Sequence, residues 1–296
     1  MDASPLTERI VAAYETMSAQ LQTAARYVLD HPRDVALLSM REQARQAGVQ
    51  PATMTRFAKH LGLSGYEEVR EIHAEAVRGG DLGFASKAGV QVISQKLKGE
   101  KALAAEMLRS LGHQIERLAS EDGLDRLTAA TELLASARRI YCLGLRSSHS
   151  VAWHLHYVLS LMSERSINLD GIAGTGADPL RNATERDVLL VASVFPYTRL
   201  TIELAEYASE RGIPVVAITD SEVAPLAQIA QRVVFVPTDS PSFFHAMSPA
   251  FAVAEVLSAL IAGRAGDDAL AALRHADQHM SVLNTHLNPR SAKRSS

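Results

Sequence analysis

The chain has 296 residues, 47 % hydrophobic and 21 % charged, and its 30 Lys plus Arg nearly balance 33 Asp plus Glu to leave a formal charge of −3. This excludes a disordered polar chain and a protein that holds nucleic acid by bulk positive charge, and the length admits two domains with separate cores. Apolar runs stay shorter than the ~18 residues a membrane helix needs, the opening MDASPLTERI lacks the basic and apolar regions of a secretory signal, and a cytoplasmic protein is expected.

Residues 1–78 are expected to form an all-α domain. Helices are read at 6–17, 18–30 and 66–77, and between them 39–61 reads as two short helices hinged at Ala47-Gly48-Val49, five helices in all. Gly48 can take positive φ at a tight corner, and Val49 fills the space beneath it. Pro51 suits the first turn of the second helix, where a missing N–H costs nothing, and Met54, Phe57, Ala58 and Leu61 recur at helical spacing for a core. The opposite face is expected to carry Gln50, Thr53, Thr55, Arg56, Lys59 and His60, a set suited to phosphate oxygens and base edges. Within 41–61, Arg41, Arg45, Arg56 and Lys59 stand against the single acid Glu42, whereas residues 1–80 hold nine basic and ten acidic side chains. Local positive charge on a helix-turn-helix, paired in a dimer, is therefore the expected route to double-stranded DNA, with an ordinary amphipathic helix pair as the alternative.

Gly79-Gly80-Asp81-Leu82-Gly83 breaks the helical period, and a linker is placed at 79–100. Leu103, Met107, Leu111, Ile115 and Leu118 then describe a long amphipathic helix whose apolar stripe needs a partner. From Arg138 onward, short apolar runs alternate with helical segments, the pattern of βα units. Strands are expected at 140–143, 166–169, 188–193, 215–219 and 233–236, helices at 148–163, 198–211, just after Pro225 and at 250–262, and a polar tail at 286–296. The sole cysteine, Cys142, lies inside the first strand and reads as a core residue. The fold class is thus α/β: an all-α helix-turn-helix domain, then a doubly wound, five-stranded parallel-sheet domain over 101–285, with ligands expected beyond the carboxyl ends of the strands.

Gly144-Leu145-Arg146-Ser147-Ser148-His149 follows the first strand, and Ser193-Val194-Phe195-Pro196-Tyr197-Thr198-Arg199 follows the third; each runs into a helix. Hydroxyls, backbone N–H groups and helix N-termini favour an anion there. Arg146, Ser147, Ser148, Ser193, Tyr197 and Thr198 are the candidate ligand-binding residues, and plain helix capping by those Ser and Thr is the alternative. Gly171-Ile172-Ala173-Gly174-Thr175-Gly176 imitates a dinucleotide fingerprint but has no helix start behind it. The eleven histidines lack metal-ligand spacing, and Glu203 and Glu206 fit a solvated helix face. No metal, cofactor or catalytic residue is expected.

With the turn glycine, the run Thr53-Met54-Thr55-Arg56-Phe57 and the ending Leu61-Gly62-Leu63-Ser64-Gly65-Tyr66, the chain resembles the RpiR (MurR/RpiR) family of bacterial transcription regulators over nearly its whole length. Its C-terminal half resembles a sugar isomerase (SIS) domain. The resemblance implies a DNA-binding regulator whose SIS domain senses a small metabolite, commonly a phosphorylated sugar, and which forms homodimers or homotetramers. Arg146 stands where the family's first loop, Gly-x-Gly-x-Ser, has its second glycine, and Phe195-Pro196 interrupts the second loop, Ser-x-Ser-Gly-x-Thr, while Ser193 and Thr198 remain. A carboxylate or another small anion paired with Arg146 therefore stands beside a phosphosugar as the expected effector. A metabolite-controlled repressor without catalysis is the expected function. The alternatives are an aldose–ketose isomerase with His245, Glu255, His149, His154 or His156 as its base, and a binding module whose helical half contacts protein.

Overall fold

The computed structural model describes residues 5–78, 84–171 and 174–286, and the chain divides into two compact units, 1–110 with 239–245 and 111–238 with 246–296. The first unit is helical: α1 (Pro5–Ala13), a 3-10 turn (Tyr14–Thr16), α2 (Ala19–Asp30), α3 (Pro32–Leu37), α4 (Met40–Gln46), α5 (Pro51–His60), α6 (Tyr66–Arg78) and α7 (Phe84–Lys98). Ile10, Val28, Val35, Ala44, Met54, Phe57 and Val69 close one core. Helix α3 has no counterpart among the expected elements because six residues are too few to display a 3.6-residue period. Helix α7 occupies most of the segment expected as a linker, and Gly79 to Gly83 lie outside the described residues.

The hinge follows the expected geometry. Ser39 Oγ accepts the Glu42 N–H at the start of α4, and Gly48 at φ +68° ends it, with Val49 N–H bonded to Ala44 O at 2.9 Å and Gly48 N–H to Arg45 O at 3.2 Å. This paired closure satisfies two terminal carbonyls and needs the left-handed conformation that glycine takes freely. Behind the hinge, the buried Gln43 amide donates to Val35 O and Leu38 O and accepts from Tyr66 Oη at 2.6 Å, tying α3, α4 and α6 through one side chain. Burial pushes the Tyr66 phenol well above its usual range, which keeps it a donor.

Helix α8 (Glu100–Arg117) follows; Leu103 on its stripe is buried, whereas Ile115 is 41 % exposed. The second unit then runs α9 (Glu121–Ser136), β1 (Ile140–Gly144), α10 (His149–Met162), β2 (Ser166–Asn168), β3 (Val188–Ala192), α11 (Arg199–Glu210), β4 (Val215–Thr219), α12 (Pro225–Ile229), β5 (Arg232–Phe235), α13 (Ser248–Ala265) and α14 (Asp267–Val282). All strand pairs are parallel, in the order β2-β1-β3-β4-β5. Alternate residues feed two cores: Ile140, Cys142, Leu190 and Val216 pack with α9, α10 and α13, while Tyr141, Leu143, Val191 and Ala217 pack with α11 and α12. The three layers are those of a doubly wound domain.

Helix α13 is long and apolar enough to cross a membrane, yet its Val253, Ala254, Leu257 and Ile261 belong to the sheet's core. Cys142 is fully buried and its thiol is pushed up to about 12 by desolvation, so it stays protonated. The final helix extends beyond the expected 250–262, and after Gly266 at φ +56° the chain forms α14 where no further helix was expected. Of the tail at 286–296, only His286 lies within the described residues.

Candidate nucleic-acid interface and switch-point loops

Helix α5 buries Thr53, Met54, Phe57 and Ala58 and turns Gln50, Arg56, Lys59 and His60 to solvent, with Thr55 half-buried. Thr53, expected on the free face, is instead 2 % exposed, because it lies one turn ahead of Phe57 on the core side. Its hydroxyl sits 3.3 Å from Arg56 Nη2, so Thr53 steadies Arg56 from below. Thr55 Oγ1 contacts Met40 Sδ at 3.8 Å, and His60 Nε2 meets Thr16 Oγ1 at 3.3 Å. Arg45 is committed to Glu42, whose carboxyl is held down to about 2 by hydrogen bonds from Arg45 and Gln46. Arg41 and Lys59 are exposed and have no partner among the described residues. Sequence reasoning counted Arg41 as local charge but did not name it as a site residue, since it sits on the first helix of the pair. Exposed cations and amide donors around a helix whose N-terminus is open suit phosphates and base edges.

In the second unit, Gly144 pairs with Ala192 across β1 and β3, which sets the loops after those strands side by side. Strand order reverses between β1 and β3, so this is the switch point at which doubly wound sheets take ligands. Gly144 permits the close approach: a Cβ there would lie 2.3 Å from Ser148 O and 2.9 Å from Ala152 Cβ. Arg146 has φ +54°, the left-handed region, at the very position where the resembled loop carries glycine. Arg146 thus takes a backbone conformation that glycine favours and adds an exposed guanidinium. Ser148 and Ser193 are buried at 4 % and 3 % exposure, Ser147, Tyr197 and Thr198 are half-buried, and Phe195 meets Tyr197 edge to face at 5.8 Å. Ser148 precedes α10 and Thr198 precedes α11, yet neither side chain makes a cap hydrogen bond to its own helix.

Of the candidate bases, His149 is the first residue of α10 and so stands at the switch point, whereas His154, His156 and Glu255 lie further along α10 and α13. His156 Nδ1 lies 2.8 Å from Ser166 Oγ at the amino end of β2, and burial draws its pKa down. His154 packs against Phe251 at 4.3 Å, and Glu255 is exposed on α13. Glu203 pairs with Arg199 at 3.4 Å on the outer face of α11. Among the described residues, no group of three His, Cys, Asp or Glu could hold a metal ion, and the Gly171 to Gly176 segment includes Ile172 and Ala173, which lie outside them.

A helix-turn-helix unit joined in one chain to a doubly wound sheet of this order defines a DNA-binding protein with an SIS-type domain. Residues 5–76 match the helix-turn-helix domain of the rpiR family and residues 133–260 match the SIS domain; the chain belongs to the RpiR family of transcriptional regulators. It is 26 % identical over 270 residues to an HTH-type transcriptional regulator of Caldanaerobacter subterraneus subsp. tengcongensis, covering 87 % of this chain and 90 % of that one. It is 25 % identical to the HTH-type transcriptional regulator HexR of Pseudomonas aeruginosa, covering 78 % and 79 % of the two chains. Among solved structures, the sugar isomerase domain of an RpiR transcription factor from Sphaerobacter thermophilus superposes with a TM-score of 0.55 at 28 % identity over 60 % of this chain and 98 % of that one. The Vibrio vulnificus NanR protein complexed with ManNAc-6P shares the fold along 94 % of this chain and 98 % of its own, with a TM-score of 0.54 and 19 % identity.

Proposed function

We propose that this regulator is a cytoplasmic repressor that binds operator DNA through 1–78 and is controlled by a small anionic metabolite, a phosphosugar or a related acid, held in the domain over 101–285, with 79–100 joining the two. Gln50, Thr55, Arg56, Lys59 and His60 contact DNA, with Thr53 supporting Arg56. Arg146, Ser147, Ser148, Ser193, Tyr197 and Thr198 hold the anion. The observation that carries the ligand reading is the pair of helix starts at the switch point whose hydroxyls, on Ser148 and Thr198, leave their own helices uncapped. That NanR, which shares the fold, is complexed with ManNAc-6P supports a sugar phosphate as the effector, and the added Arg146 suits a second or a planar anionic group.

A homodimer or homotetramer completes the proposal. Trp153 and Tyr157, stacked at 5.4 Å on α10, and Val256 and Leu260 on α13 are 40 % or more exposed, a face suited to another copy. The DNA assignment is tested with an operator fragment recovered by selection from a random pool. Arg56→Ala should weaken binding at least about tenfold in a gel-shift assay, the order expected for one lost base or phosphate contact, with circular dichroism unchanged. Unaltered affinity in that variant contradicts the assignment.

A further inference from the structure

At the amino ends of β1 and β2, opposite the switch-point loops, the second unit carries a cleft of about 460 Å³ that opens to solvent beside Arg264 and Asp268. Its size lies in the range of small-molecule sites. Leu159, Met162 and Ile261 form an apolar wall, and among the described residues no aromatic ring lines it. Arg165 and Arg264 supply two cations and Asp268 one carboxylate, so the lining carries a single net positive charge. Arg165 is held in place by Nη1 donating to Ala137 O at 2.8 Å and Ala135 O at 3.3 Å, which also closes the carboxyl end of α9. Arg264 is exposed at the cleft, and neither it nor Asp268 has a partner among the described residues.

We infer that this cleft is a second ligand site, distinct from the switch point, for an aliphatic monocarboxylate whose chain packs on Leu159, Met162 and Ile261 and whose carboxylate pairs with Arg264 and Arg165. The chemistry selects this class. Apolar walls without rings favour a hydrocarbon chain over a sugar or a base, and one net positive charge matches a monoanion better than a phosphate ester dianion. The guanidinium of Arg165 is already ordered by the α9 carbonyls, so less freedom is lost when it meets a ligand.

Octanoate is the probe, titrated calorimetrically into the full chain, with octyltrimethylammonium as the control of equal chain length and opposite charge. The site predicts saturable octanoate binding, no binding of the cationic control, and no displacement of octanoate by excess inorganic phosphate. Arg264→Ala removes the exposed cation and should weaken octanoate at least about tenfold, the usual order for a lost charge-assisted hydrogen bond. Ala265→Leu fills the space from a helical position that tolerates leucine and should also abolish binding, so the inference does not rest on one variant. Absence of saturable octanoate binding, equal affinity in both variants, or displacement by phosphate would overturn it.

Discussion

Arg146 brings a cation into the loop after β1 while holding a backbone conformation that glycine favours. Its φ of +54° is glycine's conformation, and a long side chain held there costs on the order of 1 kcal/mol. Arg146→Gly should therefore raise stability by about 1 kcal/mol in urea unfolding while weakening the anion at least about tenfold, because a charge-assisted contact is lost. Stability and affinity moving together would contradict this division of roles. The sequence disclosed the substitution and the added charge, but not the φ angle, which depends on how the loop closes onto α10. Thr53 illustrates the converse. Its hydroxyl reads as a DNA contact, yet one turn of helix separates it from Phe57, and the core takes it.

Elements were legible where burial is strong and periodic. Strands β1, β3 and β4 are buried along their whole length, so continuous apolar runs mark them. Helices α3, α9 and α14 were not found, for different reasons. The first is a single short turn-and-a-half, and α14 buries only Ala269, so its polar composition resembles a tail. For α9 the signal was present: Ser120 caps it by accepting from Gly123 N–H, with Glu121 and Asp122 in the first turn. The amino edge of the sheet is fastened by Asp187, which accepts Arg138 Nε at 2.9 Å and Nη2 at 2.6 Å and the Thr184 N–H at 2.8 Å. Burial pushes this carboxyl up, but the Arg138 and Thr184 hydrogen bonds outweigh it and hold the pKa below the usual value. A depressed folded pKa contributes stability above the unfolded value of about 3.9 and loses it as pH falls through the folded one. Asp187→Asn should lower stability at neutral pH and flatten the decline below about pH 4 in thermal melts. A variant whose acid limb matches wild type would show that this clamp is not part of it.

At the scale of the whole molecule, the two kinds of domain and their order were legible because a helical period gives way to βα units from Arg138, and the rpiR helix-turn-helix match at 5–76 and the SIS match at 133–260 come in that order. The effector's identity was not, since the loops that differ from the family pattern are the ones proposed to hold it. An anion bound at the switch point weakens DNA binding only if the DNA-free arrangement binds it more tightly, and couplings of this kind usually amount to about 5- to 150-fold. The most direct measurement is fluorescence anisotropy of the selected operator fragment, titrated with the full chain at fixed salt, with and without ManNAc-6P and a panel of hexose 6-phosphates and sugar acids. At least one of these anions should weaken operator binding at least about fivefold in the wild type and fail to do so in Ser193→Ala. Operator affinity unmoved by every anion that binds the protein would contradict the account.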